Sequence, residues 1–320
     1  MESIIEAIKE SSVIIQEKLG HAGIHDLHGE HGGENSSGDV QKKLDVISNE
    51  IIIEKLTNTG VCSLLLSEEN DDVIIASDGG KYIVCFDPLD GSSNIDCNCC
   101  VGTIFCIFED NKSSNDKERV LRKGDEILCA GYVLYGPATD LVITTGSGVQ
   151  KYVLDRNTGK YEYTGDIVIG NKKIYSINES NCENWFFDMK NYINLFKEKN
   201  TKYTHRYIGS MVADVHRTLL YGGMFSYPAD VKNEKGKLRV LYECFPMAKL
   251  VEAAGGRAII GKFSDKRILE LIPENIHDRT PIILGSISEV DKYKSSWYIY
   301  SMTENTYKNI LYSSSATADT

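Results

Sequence analysis

The chain has 320 residues, enough for one large domain or two moderate ones, and its 42% hydrophobic content is ample for a buried core. A formal charge of -11, from 46 acidic and 35 basic residues, disfavours nucleic-acid binding, which needs a basic face. It does not exclude small anionic substrates, because a bound cation inverts the local field. No apolar run reaches membrane-spanning length. Met1 to Glu6 carries no basic stretch followed by an apolar one, so no secretion signal is expected. Nine cysteines without a cluster of histidines suggest free thiols in a reducing, cytoplasmic setting.

Ile4, Ile5, Ile8, Val13 and Ile15 recur among charges and predict an amphipathic helix over residues 3–19. A polar stretch rich in Gly and His runs from Gly20 to Gly38, long for a plain connector. Val40 to Leu56 returns to helical spacing. Strands are expected at Cys62–Leu66, Val73–Ser77, Tyr82–Phe86 and Val101–Phe108, and the cysteines at 97, 99 and 100 read as the approach to the last of these. Asp110 to Asp125 reads as a charged surface excursion. Ala130–Tyr135, Asp140–Thr144, Val149–Leu154 and Lys160–Tyr163 fit a meander.

The pattern loosens around Gly165 to Lys173, where a domain boundary is placed, dividing the chain into 1–168 and 169–320. Helices are then expected at Cys182–Glu198 and Met211–Tyr221, and strands at Gly223–Tyr227, Val240–Tyr242 and Ile282–Leu284. Pro246–Ala254 is a helix with Pro near its start and Gly255-Gly256 past its end. The Ser-, Tyr- and Thr-rich tail reads as frayed. No repeats are visible.

The chemistry concentrates at Asp87-Pro88-Leu89-Asp90-Gly91-Ser92-Ser93-Asn94-Ile95-Asp96. Two carboxylates flank a turn and a Gly-Ser-Ser run follows at once. Glu68-Glu69 and Glu243 stand at other predicted strand ends. Hard divalent cations take several oxygen ligands from different elements, and the Leu89 carbonyl could complete such a shell. Two such ions polarise a phosphoryl group and activate water. The amides of Gly91, Ser92 and Ser93 form either a phosphate cradle or a simple Asx or Ser turn. Lys237 precedes Glu243 by six residues and would share its face in a regular strand, as a phosphate partner or an exposed edge lysine.

These residues closely resemble the fructose-1,6-bisphosphatase family. The resemblance rests on Lys42 to Val46, Ser67-Glu68-Glu69, Phe86 to Asp96, Val101 to Phe105, Gly209 to Arg217, Tyr221-Gly222-Gly223 and Gly236 to Gly256, and it fades after about Asp291. More distantly the chain is similar to lithium-sensitive inositol monophosphatases through Asp-Pro-Leu-Asp-Gly.

The resemblance implies an α+β fold layered α-β-α-β-α, with one mainly antiparallel and one mixed sheet. It implies Mg²⁺, with Mn²⁺ or Zn²⁺ as substitutes, held by Glu68, Glu69, Asp87, the Leu89 carbonyl, Asp90 and Glu243. Asp39, from a mobile loop over Gly23 to Lys43, and Asp45 with Glu69 would activate water. Asp90, Gly91, Ser92, Ser93 and Lys237 would hold the 1-phosphate and nearby sugar. Asn178, Arg206, Tyr207 and Tyr227 would hold the distal phosphate. Met211 would line the sugar pocket by its backbone, or simply be core, and Asp96 would support the site from behind. Arg206 would reach a neighbouring subunit, implying a homo-oligomer, a tetramer in this family. Neither a membrane nor nucleic acid is an expected partner.

Three departures matter. The N-terminal segment that grips inhibitory AMP is expected to be missing, and Glu109 stands where the family has an arginine, so AMP insensitivity is expected. Asn181 replaces a tyrosine near the distal phosphate, leaving sedoheptulose 1,7-bisphosphate as an alternative substrate. The inserted cysteine loop of the light-regulated plastid form is absent, so thioredoxin control is not expected.

Overall fold

The computed structural model describes residues 1–296 apart from 26, 28, 35–39 and 114. The predicted Asp39 therefore lies outside the described residues, as does the tail. Helix α1 (Glu2–Gly20) buries Ile4, Ala7, Ile8 and Ile15. A short hairpin, β1 (Glu30–Glu34) with β2 (Val40–Lys42), leads into α2 (Lys43–Asn58). At the start of α2 the Asp45 Oδ2 accepts the Lys42 backbone N–H at 2.8 Å, half of a capping box.

The first sheet has eight strands in the order β10-β9-β8-β7-β6-β5-β3-β4. They are β3 (Cys62–Ser67), β4 (Ile74–Ile75), β5 (Tyr82–Asp90), β6 (Val101–Glu109), β7 (Cys129–Tyr135), β8 (Thr139–Thr144), β9 (Val149–Asp155) and β10 (Lys160–Ile167). Its pairs are antiparallel except β3 with β5. Helix α3 (Asp116–Val120) lies between β6 and β7.

The second sheet has the order β12-β11-β13-β15-β14 and mixes parallel and antiparallel pairs. Its strands are β11 (Ile174–Ser176), β12 (Thr204–His205), β13 (Met224–Tyr227), β14 (Gly256–Ile259) and β15 (Ile282–Ser286). Helices α4 (Phe187–Lys197), α5 (Met211–Tyr221) and α6 (Phe245–Ala253) join them, and residues 287–296 are helical.

Alternation along the central strands builds the layers. Leu65, Val84, Phe86, Phe105 and Ile107 point into a core shared with α1 and α2. Leu64, Leu66, Ile83, Cys85, Ile104 and Cys106 point the other way, into a core with α5, α6 and the second sheet. Beyond that sheet, Tyr192, Ile193 and Phe196 of α4 pack with Val290 and Tyr293. The expected α-β-α-β-α layering is borne out.

Several local expectations are corrected. Val240 to Cys244 is a π-helical turn running into α6, not a strand. The Glu243 carboxylate accepts the Arg239 N–H at 2.6 Å and the Cys244 N–H reaches back to the Arg239 carbonyl at 3.0 Å, which winds the segment up. A short apolar run cannot by itself distinguish buried helix from strand. Lys237 therefore shares no strand face with Glu243; it is exposed in the loop before the turn. Residues 182–198 divide into a 3-10 segment (Glu179–Asn184) and α4. Cys97 lies in a turn and Cys99 and Cys100 in the irregular stretch that leads into β6, with Asn98 at φ 56. Asp110, at the start of the charged excursion, is buried by Arg119 at 2.7 Å and Lys112 at 3.0 Å.

Candidate active site

The C-terminal end of β5 carries the site's centre. Asp87 and Asp90 are both buried there, and Glu243 joins them from the π-helical turn. One carboxylate oxygen from each falls within 4.8 Å of the others. Burial pushes the Asp87 and Glu243 carboxyls well up, and repulsion from Glu68, Asp90 and their neighbours adds to it. Burial also raises Asp90, to about 6, although the Val212 N–H and Ser210 hydroxyl donate to it. Three buried acids that resist ionisation together are the environment a divalent cation relieves, so the donor set fits a hard metal ion.

Glu68 and Glu69 extend from the end of β3 at the rim. Glu68 Oε1 accepts from Arg239 Nε at 2.7 Å. The Leu89 N–H donates to Asp87 Oδ1 at 2.9 Å, which bends the chain at Pro88. The Pro88 carbonyl is itself held by Thr103 Oγ1 at 2.9 Å.

Asp90 ties this bend to the far helix. Its Oδ2 accepts from Ser210 Oγ at 2.9 Å and from the Val212 N–H at 2.8 Å, at the start of α5. Gly91 follows at φ 77, and Ser92–Asn94 make one 3-10 turn. Burial raises the Asp45 carboxyl to about 7, with Glu69 and Glu68 adding to the rise and the Lys42 N–H and nearby Ser92 opposing it. Asp45 Oδ1 is buried without a hydrogen-bond partner. Asp96 accepts from Lys42 Nζ at 2.9 Å and from the Gly29 N–H at 3.3 Å.

A second group of candidate residues lies around Tyr227. Asn178 Oδ1 caps the 3-10 segment by accepting from the Ser180 N–H at 3.2 Å, and with Asn181 and Tyr227 it lines a small pocket. Burial raises the Tyr207 phenol, and Tyr227, Asp214 and Asp90 lie close enough to add to it. Arg206 is exposed, with Nη1 on the His205 carbonyl at 3.0 Å. Met211 is buried in the core between the layers. The structure thus brings Asp45, Glu68, Glu69, Asp87, Asp90, Ser92 and Glu243 together, and sets Lys237 and Arg206 at the exterior.

Three further residues shape the site without a role legible in the sequence. Arg239 is 1% exposed and faces the acid cluster. Its signal was a charge between Leu238 and Val240, since a buried cation needs a partner. Ser210 holds Asp90. Asp214, fully buried, accepts the Ile208 and Gly209 N–H groups at 3.1 and 3.0 Å and shapes the turn before α5. Neither carried a signal beyond its place in a quoted motif.

A family model described as fructose-1-6-bisphosphatase, N-terminal domain, matches residues 1–166, and its C-terminal-domain counterpart matches 168–298. The chain belongs to the fructose-1,6-bisphosphatase family. It is a phosphatase. The family's cytosolic fructose-1,6-bisphosphatase of Arabidopsis thaliana is 49% identical over 282 residues, covering 86% of this chain and 82% of that one. The Kluyveromyces lactis fructose-1,6-bisphosphatase is 45% identical over 308 residues, covering 91% and 86%. The crystal structure of the Leishmania major family member in holo form superimposes with a TM-score of 0.88 at 43% identity, covering 91% of this chain and 92% of that chain. Among the described residues no helix is long and apolar enough to cross a membrane.

Proposed function

We propose that the chain hydrolyses the 1-phosphate of fructose 1,6-bisphosphate to fructose 6-phosphate and phosphate, using Mg²⁺, with Mn²⁺ or Zn²⁺ as substitutes. The observation that carries this reading is the buried convergence of Asp87, Asp90 and Glu243 within 4.8 Å. Glu68, Glu69, Asp87, the Leu89 carbonyl, Asp90 and Glu243 would hold the ions, which when bound neutralise these acids and draw charge from the phosphoryl group.

Asp45 suits the proton acceptor. Its carboxyl is raised to about 7, its Oδ2 is fixed by the Lys42 N–H, and its Oδ1 keeps an unused lone pair. A base whose pKa lies near working pH transfers protons best. Glu69 stands beside it, and Asp39 would join from outside the described residues. Asp90, Gly91, Ser92, Ser93 and Lys237 would bind the 1-phosphate and proximal sugar. Asn178, Tyr207 and Tyr227 would bind the distal phosphate, and Met211 the sugar through its backbone. Arg206 would complete a neighbour's site in a homotetramer, which fits its exposure.

Glu109 supports AMP insensitivity. It is exposed at the end of β6, opposite Tyr82 and beside the Lys81 strand end, so its carboxylate would repel a phosphate there. A cytosolic, gluconeogenic role accords with this activity. A second reading, sedoheptulose 1,7-bisphosphate as substrate, is favoured by one observation: Asn181 lines the same pocket as Asn178 and Tyr227.

The test is phosphate release from both sugar bisphosphates, with Mg²⁺ or a chelator, with and without AMP. Mg²⁺-dependent turnover of the fructose substrate that ignores AMP is expected. Equal turnover in chelator would overturn the metal assignment, a preference for the seven-carbon sugar would select the second reading, and strong AMP inhibition would overturn the reading of Glu109.

A further inference from the structure

Most cysteines of this chain are buried, but Cys97 and Cys99 are exposed and Cys100 is half-buried, on the turn that follows Asp96. Together they combine C-x-C and C-x-x-C spacings. Asn98 between the first two has φ 56, so the chain doubles back there. Cys99 Sγ lies 4.0 Å from the Cys97 carbonyl oxygen, and Cys97 Sγ lies 3.3 Å from the Asn94 carbonyl oxygen. The nearby Cys97 side chain raises the Cys99 thiol. A cleft of about 540 Å³ opens alongside, lined by Cys99, Cys100, Gln16 and Arg156. It offers room and a cation beside Cys99 for the part of a small carboxylate-bearing disulfide not engaged by Cys97, which lies outside the lining.

Asp96 links this turn to the candidate active site. It accepts from Lys42 Nζ at 2.9 Å, and the Lys42 N–H in turn holds Asp45 at 2.8 Å. We propose that Cys97 and Cys99 are a thiol switch: a low-molecular-weight disulfide of the glutathione class oxidises them to an intrachain Cys97–Cys99 disulfide, which draws Asp96 off Lys42 and lowers turnover. The Cys97 thiolate attacks one sulfur of the small disulfide; its S–S bond breaks and one small thiolate leaves. The Cys99 sulfur, giving its proton to solvent, then attacks the Cys97 sulfur and expels the second small thiolate. Two protein thiols lose two electrons and two protons, and one small disulfide gains them. Closing a ring across a single residue requires residues 97–99 to leave the present turn, and Asp96 moves with them. The effect on turnover rests on the proposed phosphatase mechanism; the disulfide itself does not.

The experiment treats the full chain with oxidised glutathione, blocks remaining thiols, reduces, and labels the released thiols with a second reagent. Fragmentation by mass spectrometry then assigns each label within residues 97–100. Labels on Cys97 and Cys99, reversed by dithiothreitol, are expected, and C97S and C99S should lose them while C100S keeps them. Hydrogen exchange at the Lys42 amide should rise in the oxidised protein. Phosphate release should fall about tenfold or more, as loss of ångström-level placement allows, and the two Ser variants should match reduced wild type. Absence of the disulfide, or its formation through Cys100, would overturn the switch. A disulfide without faster exchange at Lys42 would overturn the link through Asp96. If the reduced protein turns over no sugar bisphosphate, the functional reading fails, while labels and exchange still decide the switch.

Discussion

The Arg239 guanidinium, 1% exposed, donates from Nε to Glu68 Oε1 at 2.7 Å, while the Arg239 backbone N–H binds the Glu243 carboxylate at 2.6 Å. One residue thus fixes two acids that lie far apart in the sequence. Substituting R239M leaves Glu68 facing Asp87, Asp90 and Glu243 without that cation. Breaking a buried pair from one side costs about 3–5 kcal/mol, and that loss of unfolding free energy is expected in chelator, with partial recovery in saturating Mg²⁺. R239K should recover less than full stability because a lysine lacks the planar fork. Denaturant midpoints of the three proteins in chelator decide it; equal midpoints would show that Arg239 is not balancing the acids.

Asp45 carries a pH signature. Its folded pKa is raised from 3.8 to about 7, chiefly by burial. As the proton acceptor it makes kcat/KM climb as pH rises through about 7 and level off above. D45N should lower kcat by about 10²–10⁴ and flatten that limb. The stability sign is opposite. A raised carboxyl binds its proton more tightly when folded, so its stabilisation is full below the unfolded pKa of 3.8 and is lost as pH passes about 7. Wild type in chelator should therefore weaken from pH 4 to 8 more steeply than D45N. Parallel melting curves for the two would remove the assignment.

Glu243 tests the metal reading without relying on kinetics. Its carboxyl is pushed well up by burial and by Glu68 and Asp90. E243Q keeps the shape and removes the charge, so in chelator the variant should unfold at a higher temperature than wild type. Added Mg²⁺ should raise the wild-type midpoint and leave the variant nearly unmoved. Activity should fall by about 100-fold or more, as losing part of a metal's several kcal/mol of transition-state stabilisation implies. A variant that Mg²⁺ stabilises as strongly as wild type would place the ion elsewhere.

The layers and the acid cluster were legible in the sequence for different reasons. Strands β3, β5 and β6 are continuous apolar runs because both of their faces are covered, and each ends at turn chemistry that a reader can see. Asp87, Asp90 and Gly91 declared themselves because few turns need that whole run. The segment around Arg239 did not. Its winding is set by Glu243 reaching back to an amide four residues earlier, a side-chain choice that no hydrophobic period encodes. Ser210 was equally silent: its partner Asp90 is 120 residues away, and a serine before a helix reads as an ordinary cap. The turn at Cys97 to Cys100 looked like a strand approach because alternation over four residues cannot reveal a left-handed asparagine.

Gly91 joins the two halves of the site by close approach. Its φ is 77, and an added Cβ would stand 2.6 Å from Ser210 Cβ and 2.8 Å from Ser210 Oγ, the hydroxyl that donates to Asp90. G91A should therefore cost backbone strain and a collision together, about 2–4 kcal/mol, and turnover should drop because Asp90 loses its donor. Gly146 separates the two costs. It has φ 110 with nothing within 4 Å of its added Cβ, so G146A should cost only strain, about 1–3 kcal/mol, and leave turnover intact. Adding S210G to G91A removes the collision and the donor at once. Stability should then recover only the collision part, because the strain at φ 77 stays and buried Asp90 lacks a donor, while turnover stays low. If the double variant regained turnover, the Ser210 hydroxyl would have no part in holding Asp90 for catalysis.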